Sequence, residues 1–239
     1  MTNKKQTAII IPARYGSSRL EGKPLLKAKN KTIIQWVWEK AKAVPHVDRV
    51  IIATDDDRIF NACKEFGAEV EMTSTEHKSG SDRIAEVAKR HPEIGYIINL
   101  QGDEPLIEQA NIELVINGVL FDEKADISTL VREIKDVKEA ENPNLVKCVF
   151  DVNNYALYFS RSKIPFERNA NVAEFYGHLG IYGYKRKALE SMTTLEQTPL
   201  EKAESLEQLR ALENGMRIKT AVVKYDSIGI DTIEDYNNF

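Results

Sequence analysis

The chain has 239 residues, with 33 Lys and Arg against 37 Asp and Glu (formal net charge −4) and 42% hydrophobic residues. That composition excludes a disordered chain, and the length suffices for one large domain or two small ones with a buried core. The acidic balance argues against a general nucleic-acid or anionic-membrane binder, which needs a net basic surface, although a local basic patch remains open. Only two cysteines are present, Cys63 and Cys148, with no CxxC. Disulfide scaffolds and zinc sites are thereby excluded as organising features, and the apolar neighbours of both read as buried thiols. The apolar stretch Ala8–Ile11 is too short for a secretory leader, and no run approaches the roughly 20 residues of a membrane span. The expected location is the cytoplasm.

In chain order, Thr7–Ile11 reads as a buried parallel strand closed by Pro12, followed by a loop to Pro24. Thr32–Val44 is predicted helical, with Ile33, Val37 and Ala41 on one face. Val50–Ala53 reads as a second strand, Asp57–Phe66 as a helix ended by Gly67, and Ser81–Arg90 as another helix. Tyr96–Leu100 is predicted as a third strand and Ile107–Leu120 as a longer helix. Alternation of this kind implies right-handed crossovers and a parallel sheet covered on both faces. Beyond it, Val146–Asp151, Tyr155–Ser160 and His178–Tyr184 read as antiparallel strands with little helix between them, forming a mixed extension or a subunit contact. Ala203–Asn214 is predicted as one helix closed by Gly215, with Leu206, Leu209 and Leu212 as its buried stripe. Ile218–Val223 reads as the last strand, with a helix from Thr232 onward. One domain with a mixed extension is expected.

The loop after the first strand carries Arg14, Arg19 and Lys23 with Gly16, Gly22, Ser17 and Ser18. Open α/β sheets bind ligands at the carboxyl ends of their strands. Glycines let backbone N–H groups approach an anion, and arginines match phosphate oxygens. The spacing fits neither a Walker A loop nor GxGxxG, and a polyanion site outweighs a merely solvated loop. Asp103 follows the third strand in Gln101-Gly102-Asp103-Glu104-Pro105, at the same sheet edge, and suits Mg²⁺ held by one or two carboxylates with phosphates and water. Asp231, after the last strand, reads equally as a ligand or as part of a helix cap, since Thr232 and Asp235 fit a capping box. In His178–Tyr184, alternation places His178, Gly180, Tyr182 and Tyr184 on one face and turns Leu179 and Ile181 to the core. Arg161 shares a face with Tyr155, Leu157 and Phe159. Trp36 and Trp38 read as core or interface residues.

Nine segments in order (IPARYGSSRLEGKPL 11–25, ATD 53–55, SGSDRIAEV 79–87, QGDEP 101–105, NPNLVK 142–147, YALYFSRSKIPF 155–166, HLGIYGY 178–184, SLEQLR 205–210 and GIDTIED 229–235) resemble the 3-deoxy-manno-octulosonate (Kdo) cytidylyltransferases of lipopolysaccharide synthesis. The resemblance implies an α/β fold with a Rossmann-like, glycosyltransferase-A-like mixed sheet and a smaller mixed β extension, usually as a homodimer. It implies Mg²⁺-dependent transfer of CMP from CTP to Kdo by in-line attack of the anomeric hydroxyl on the α-phosphorus, releasing pyrophosphate. Carried over by position, Asp103 and Asp231 would hold Mg²⁺ and, with Arg14 and Lys23, form the catalytic set. Ala13, Arg14, Ser17, Arg19, Lys23, Ser79, Gly80, Arg83 and Gln101 would bind the nucleotide. Arg161, His178, Tyr182, Glu207 and Gln208 would face the sugar acid, which makes about 1–135 the nucleotide-binding half and about 136–239 the sugar-binding and dimerisation half of one domain. Glu21, Ser81 and Ile233 depart from the family's usual Pro, Thr and Pro. The alternatives are another sugar acid, such as an 8-amino Kdo or an acylneuraminate, and a nucleotide sensor without turnover.

Overall fold

The isoleucines of the first apolar run decide where the sheet begins. Ile9, Ile10 and Ile11 are all fully buried, although successive strand residues point to opposite faces, so this strand is covered on both sides. The computed structural model describes residues 5–16, 20–169, 172–224, 230 and 233–238. In chain order its elements are β1 (Gln6–Ala13), β2 (Lys27–Ala28), β3 (Lys31–Thr32), α1 (Ile33–Lys42), β4 (Arg49–Thr54), α2 (Asp57–Glu65), β5 (Glu69–Met72), α3 (Gly80–Arg90), β6 (Ile94–Asn99) and α4 (Gln109–Leu120). There follow β7 (Ile127–Ile134), β8 (Lys147–Phe150), β9 (Ala156–Ser160), β10 (Phe175–Lys185), α5 (Arg186–Thr194), α6 (Pro199–Glu204), α7 (Gln208–Glu213), β11 (Ile218–Val223) and α8 (Ile233–Asn238).

The chain divides into two compact units, one of Met1–Glu113 with Ser227–Phe239 and one of Leu114–Asp226. In the first, β6, β1, β4 and β5 lie side by side and all pair in parallel. Helix α1 packs against β1 and β4, α2 against β4 and β5, and α3 against β1, β4 and β6. Each of these helices starts on a side-chain cap: Thr32 accepts from the Gln35 amide, Asp56 from Arg58, and Ser79 from Asp82. Strand β1 runs two residues further than predicted, pairing Pro12 with Ala53 and Ala13 with Thr54, so the loop starts at Arg14.

The second unit holds a mixed sheet: β7 pairs with β11 in parallel and with β10 antiparallel, and β8 bridges β10 and β9 antiparallel. The expected antiparallel character of the three middle strands is met. Strand β7 is not anticipated by the apolar pattern, because Ser128 and Thr129 occupy buried positions in it. Their hydroxyls are satisfied by backbone carbonyls, Ser128 Oγ on Val115 at 2.6 Å and Thr129 Oγ1 on Ile181 at 2.8 Å.

Two expectations for this unit are corrected. The single helix over Ala203–Asn214 is two, broken at Ser205, whose φ of 53° is left-handed; α6 begins earlier, with Pro199 in its first turn and Glu201 accepting from the Thr198 amide. Glu201 is then buried and carries a two-pronged ion pair from Arg210, at 2.8 and 2.5 Å. No helix among the described residues separates β8, β9 and β10, as expected; helix α5, between β10 and α6, is an element the periodicity did not predict, with Ala188, Leu189 and Met192 as its inner face. The shared face of Leu157, Phe159 and Arg161 does not hold. The register of β9 against β8 shifts between the Val149–Tyr158 and Phe150–Ala156 pairs, a bulge that leaves Leu157 exposed while Phe159 is fully buried.

Strand β10 shows the opposite outcome. Leu179 pairs with Leu130 and Tyr182 with Thr129, so Gly180 and Ile181 are inserted. Two extra residues restore the two-residue alternation, and His178, Tyr182 and Tyr184 share a face as predicted. Both cysteines are buried free thiols; burial pushes Cys63 up to about 12 and Cys148 higher still.

Candidate functional site

Because the strands of the first unit are parallel, their carboxyl ends share one edge, and the segments leaving β1, β4 and β6 meet there. A cavity of about 250 Å³ opens at that edge. It is lined by the end of β1 (Pro12, Ala13, Arg14), by Lys23 and Pro24, by the approach to α3 (His77 to Gly80) with Arg83, and by Gln101, Gly102 and Asp103 after β6. Eight of the residues assigned by resemblance to nucleotide or metal binding are therefore brought together: Ala13, Arg14, Lys23, Ser79, Gly80, Arg83, Gln101 and Asp103. Ser17, Arg19 and Asp231 lie outside the described residues. The chain neighbour of Asp231 is described: the Ile230 amide donates to the Asp103 carbonyl at 2.9 Å.

Lys23 is held tightly by the fold. Its side chain is 11% exposed, and its Nζ donates to Asp103 Oδ2 at 2.6 Å. Gly22, just before it, is left-handed at φ 66° and donates to the Tyr15 carbonyl at 2.9 Å; a Cβ there would sit 2.9 Å from the Tyr15 ring. Only glycine closes this loop without displacing Tyr15, whose ring is covered by the Arg58 guanidinium at 3.2 Å. Gly102 is similarly confined. A Cβ on it would lie 3.1 Å from the Pro12 carbonyl and 3.2 Å from Ile34 Cδ1, so the turn carrying Asp103 sits directly on β1.

Across the cavity, Ser79 caps α3 through Asp82 at 3.1 Å, and the helix presents its positive N-terminal end and first-turn amides to the opening. Arg83 reaches the cavity from inside the protein. It is 4% exposed, and its guanidinium donates to Asp55 at 2.6 Å and to Thr73 Oγ1 at 2.5 Å. Asp55 stands one residue beyond β4, in the ATD segment that supplied no site residue to the sequence reading; its place at a strand's carboxyl end was the available signal. Gln101 is oriented by Asn99, its Nε2 donating to Oδ1 at 3.1 Å. Four cationic side chains line a space that also holds one carboxylate, and that set suits a polyphosphate with a hard cation.

The residues assigned to the sugar acid lie in the second unit and form two groups. Tyr182, Glu207 and Gln208 line a cavity of about 100 Å³ with Ile127, Tyr184 and Met192. Gln208, expected beside the buried stripe of a single helix, is itself buried at the start of α7. His178 packs edge-on to Phe159 and beside Tyr182, with Thr129 Oγ1 3.0 Å from its Nε2. Burial lowers its pKa to about 4, so the ring is neutral near pH 7. Arg161 is not among the residues lining that cavity. Its guanidinium donates to the carbonyls of Glu204 at 2.7 Å, Pro143 at 3.1 Å and Ser205 at 3.4 Å. Sequence reasoning gave no role to Lys147, which is fully buried with Nζ on the carbonyls of Asn142, Leu145 and Arg161. Trp36, its indole N–H on the Ala28 carbonyl, and Trp38, tilted against Phe66, are half-buried packing residues.

Residues 8–218 match the family model for cytidylyltransferases. The chain belongs to the cytidylyltransferase family. This cytidylyltransferase is 49% identical over 242 residues to a 3-deoxy-manno-octulosonate cytidylyltransferase of Thermodesulfovibrio yellowstonii, covering 96% of this chain and 94% of the relative. An 8-amino-3,8-dideoxy-manno-octulosonate cytidylyltransferase of Shewanella baltica is 47% identical, over 95% of this chain and 94% of the relative. Among solved structures, a CMP:2-keto-3-deoxy-manno-octonic acid synthetase complexed with CTP superposes with a TM-score of 0.95 at 43% identity, covering 98% of this chain and 96% of that one. The mixed α/β fold implied by the sequence is thereby met. No helix among the described residues is long and apolar enough to cross a membrane.

Proposed function

We propose that this cytidylyltransferase moves CMP from CTP to Kdo and releases pyrophosphate. The observation that carries the reading is the superposition, over nearly the whole chain, on a synthetase solved with CTP. The cavity supplies the chemistry that this reaction requires. The anomeric hydroxyl of the sugar attacks the α-phosphorus, the new O–P bond forms as the bond to the pyrophosphate oxygen breaks, and the hydroxyl proton leaves to solvent. No enzyme nucleophile is needed, so catalysis is positioning and charge stabilisation. Lys23 and Arg14 bind triphosphate oxygens, the α3 amides add donors, and Arg83 is a fixed charge whose direction Asp55 sets.

Among the described residues no group of three or more His, Cys, Asp or Glu side chains could hold a metal. Mg²⁺ does not need one, since one or two carboxylates with phosphates and water complete its octahedron. The donor set at Asp103 fits: it is a hard carboxylate at the cavity with Lys23 on Oδ2, and Oδ1 is the atom a cation would take. We assign Asp103, with Asp231, to that ion. When bound, it supplies charge withdrawal from the α-phosphate and eases ionisation of the attacking hydroxyl. Tyr182, Glu207 and Gln208 are the residues we assign to the sugar acid, with a neutral His178 behind Tyr182. A cytoplasmic homodimer completes the proposal.

Pyrophosphate release tests the reading. It should require both CTP and Kdo and should fall when Mg²⁺ is chelated. The Shewanella relatives make 8-amino-Kdo the competing acceptor. Turnover with that acceptor and not with Kdo replaces the substrate assignment, and release with neither overturns the proposal.

A further inference from the structure

The connection from Thr73 to Ser79, between β5 and α3, forms one wall of the nucleotide cavity through His77, Lys78 and Ser79. Residues 74–78 belong to no helix or strand, so backbone pairing does not fix that wall. Glu86, in the second turn of α3, does. Its Oε2 accepts from the Ser74 amide at 2.9 Å and lies 2.5 Å from His77 Nε2. Its Oε1 is paired with Arg90, and Arg90 in turn donates to the Met72 carbonyl at 2.8 Å and to Glu71 at 3.0 Å. The carboxylate is thus braced from behind against β5 and grips both ends of the 74–77 turn in front. Burial alone would raise the Glu86 pKa, yet the Ser74 amide, His77 and Arg90 outweigh it and hold the group ionised below the usual carboxylate range.

We propose that Glu86 is a positioning residue for the nucleotide, acting through His77, and that His77 is a further nucleotide contact. Glu86 occupies the Nε2 side of the imidazole, which leaves Nδ1 as the ring's remaining hydrogen-bonding atom for a ligand in the cavity. The inference rests on the CTP reading above, and direct binding separates the two. Calorimetric titration of CTP is carried out on the wild-type chain and on Glu86→Ala, Glu86→Gln, His77→Ala and the Glu86→Ala/His77→Ala double variant, with the Tm of each. Loss of charge-assisted hydrogen bonds predicts CTP binding weaker by about tenfold or more in Glu86→Ala. Glu86→Gln, whose amide oxygen still accepts, recovers part of that loss. The double variant is no weaker than the weaker single variant, because both act through one contact. KM for the sugar acid stays within about twofold. A wild-type chain that does not bind CTP overturns the underlying reading. Wild-type binding with CTP affinity unchanged in Glu86→Ala, or losses that multiply in the double variant, overturns this inference alone. Should Glu86→Ala fail to fold, the cycle of Glu86→Gln with His77→Ala reads the same coupling.

Discussion

Replacing Asp103 with asparagine separates two roles that a single carboxylate plays. Its shape is kept, and the amide oxygen can still meet Lys23 Nζ, which now lies 2.6 Å from Oδ2. What is lost is one negative charge in a cavity whose other charged groups are mostly cations. Two unit charges about 5 Å apart interact by about 3 kcal/mol at an effective dielectric constant of about 20. The Asp103 side chain is 35% exposed, and discounting for solvent leaves about 1–2 kcal/mol. With metal chelated, Asp103→Asn should therefore bind CTP more tightly, by roughly tenfold. With Mg²⁺ present the sign reverses for turnover: loss of a metal-binding carboxylate should lower kcat by about 10²–10⁴-fold, or about 3–5 kcal/mol. Equilibrium CTP titration in chelator and pyrophosphate release in Mg²⁺ read the two halves separately. Weaker CTP binding without metal would show that the carboxylate does not oppose the triphosphate, and a near-normal kcat would remove Asp103 from the mechanism.

Three further outcomes follow from the packing. Gly102→Ala places a methyl group 3.1 Å from the Pro12 carbonyl, which cannot yield without moving the central strand; a cost of about 1–3 kcal/mol should lower Tm by about 2–10 °C and reduce turnover by shifting Asp103, as melting curves and kcat will report. His178, held near a pKa of about 4, is protonated more readily when unfolded, so its contribution to stability is constant above about pH 6.5 and is lost as pH falls toward 4. Urea unfolding of wild type and His178→Phe at pH 7 and pH 4.5 should show a difference in pH dependence approaching about 3 kcal/mol; parallel slopes would show that the ring is not desolvated. Glu201→Gln removes the carboxylate charge that faces the buried Arg210 guanidinium and should cost about 3–5 kcal/mol in the same assay, whereas replacing both residues by apolar ones should cost less.

The cavity was more legible in the sequence than the second unit, for a local reason. Arg14 and Asp103 lie within a few residues of the end of an unmistakably apolar strand, so finding β1 and β6 placed them on one edge. Asp55 followed β4 in the same way, but its partner Arg83 stands 28 positions away on α3, and only the packing of that helix shows that the pair forms. Glu86 and His77 were hidden similarly, since a helix surface glutamate looks like any solvated one until the preceding loop folds back onto it. Strand β7 was illegible because its buried Ser128 and Thr129 break the apolar alternation, and what satisfies them is supplied by Val115 and Ile181. The break at Ser205 and the bulge at Leu157 depend on the Arg161 and β8 contacts around them, which no local periodicity encodes. The face shared by His178 and Tyr182 was predicted correctly although the bulge was unforeseen, because an insertion of two residues leaves the alternation in phase.

Central to the proposed function is that the cavity at the carboxyl ends of β1 and β6 holds the triphosphate. A crystal structure of the chain with CTP and Mg²⁺ tests this most directly. It should place triphosphate oxygens on Lys23 Nζ and the first-turn amides of α3, with the ion on Asp103. A triphosphate seated elsewhere, with Lys23 still donating to Asp103, would contradict it.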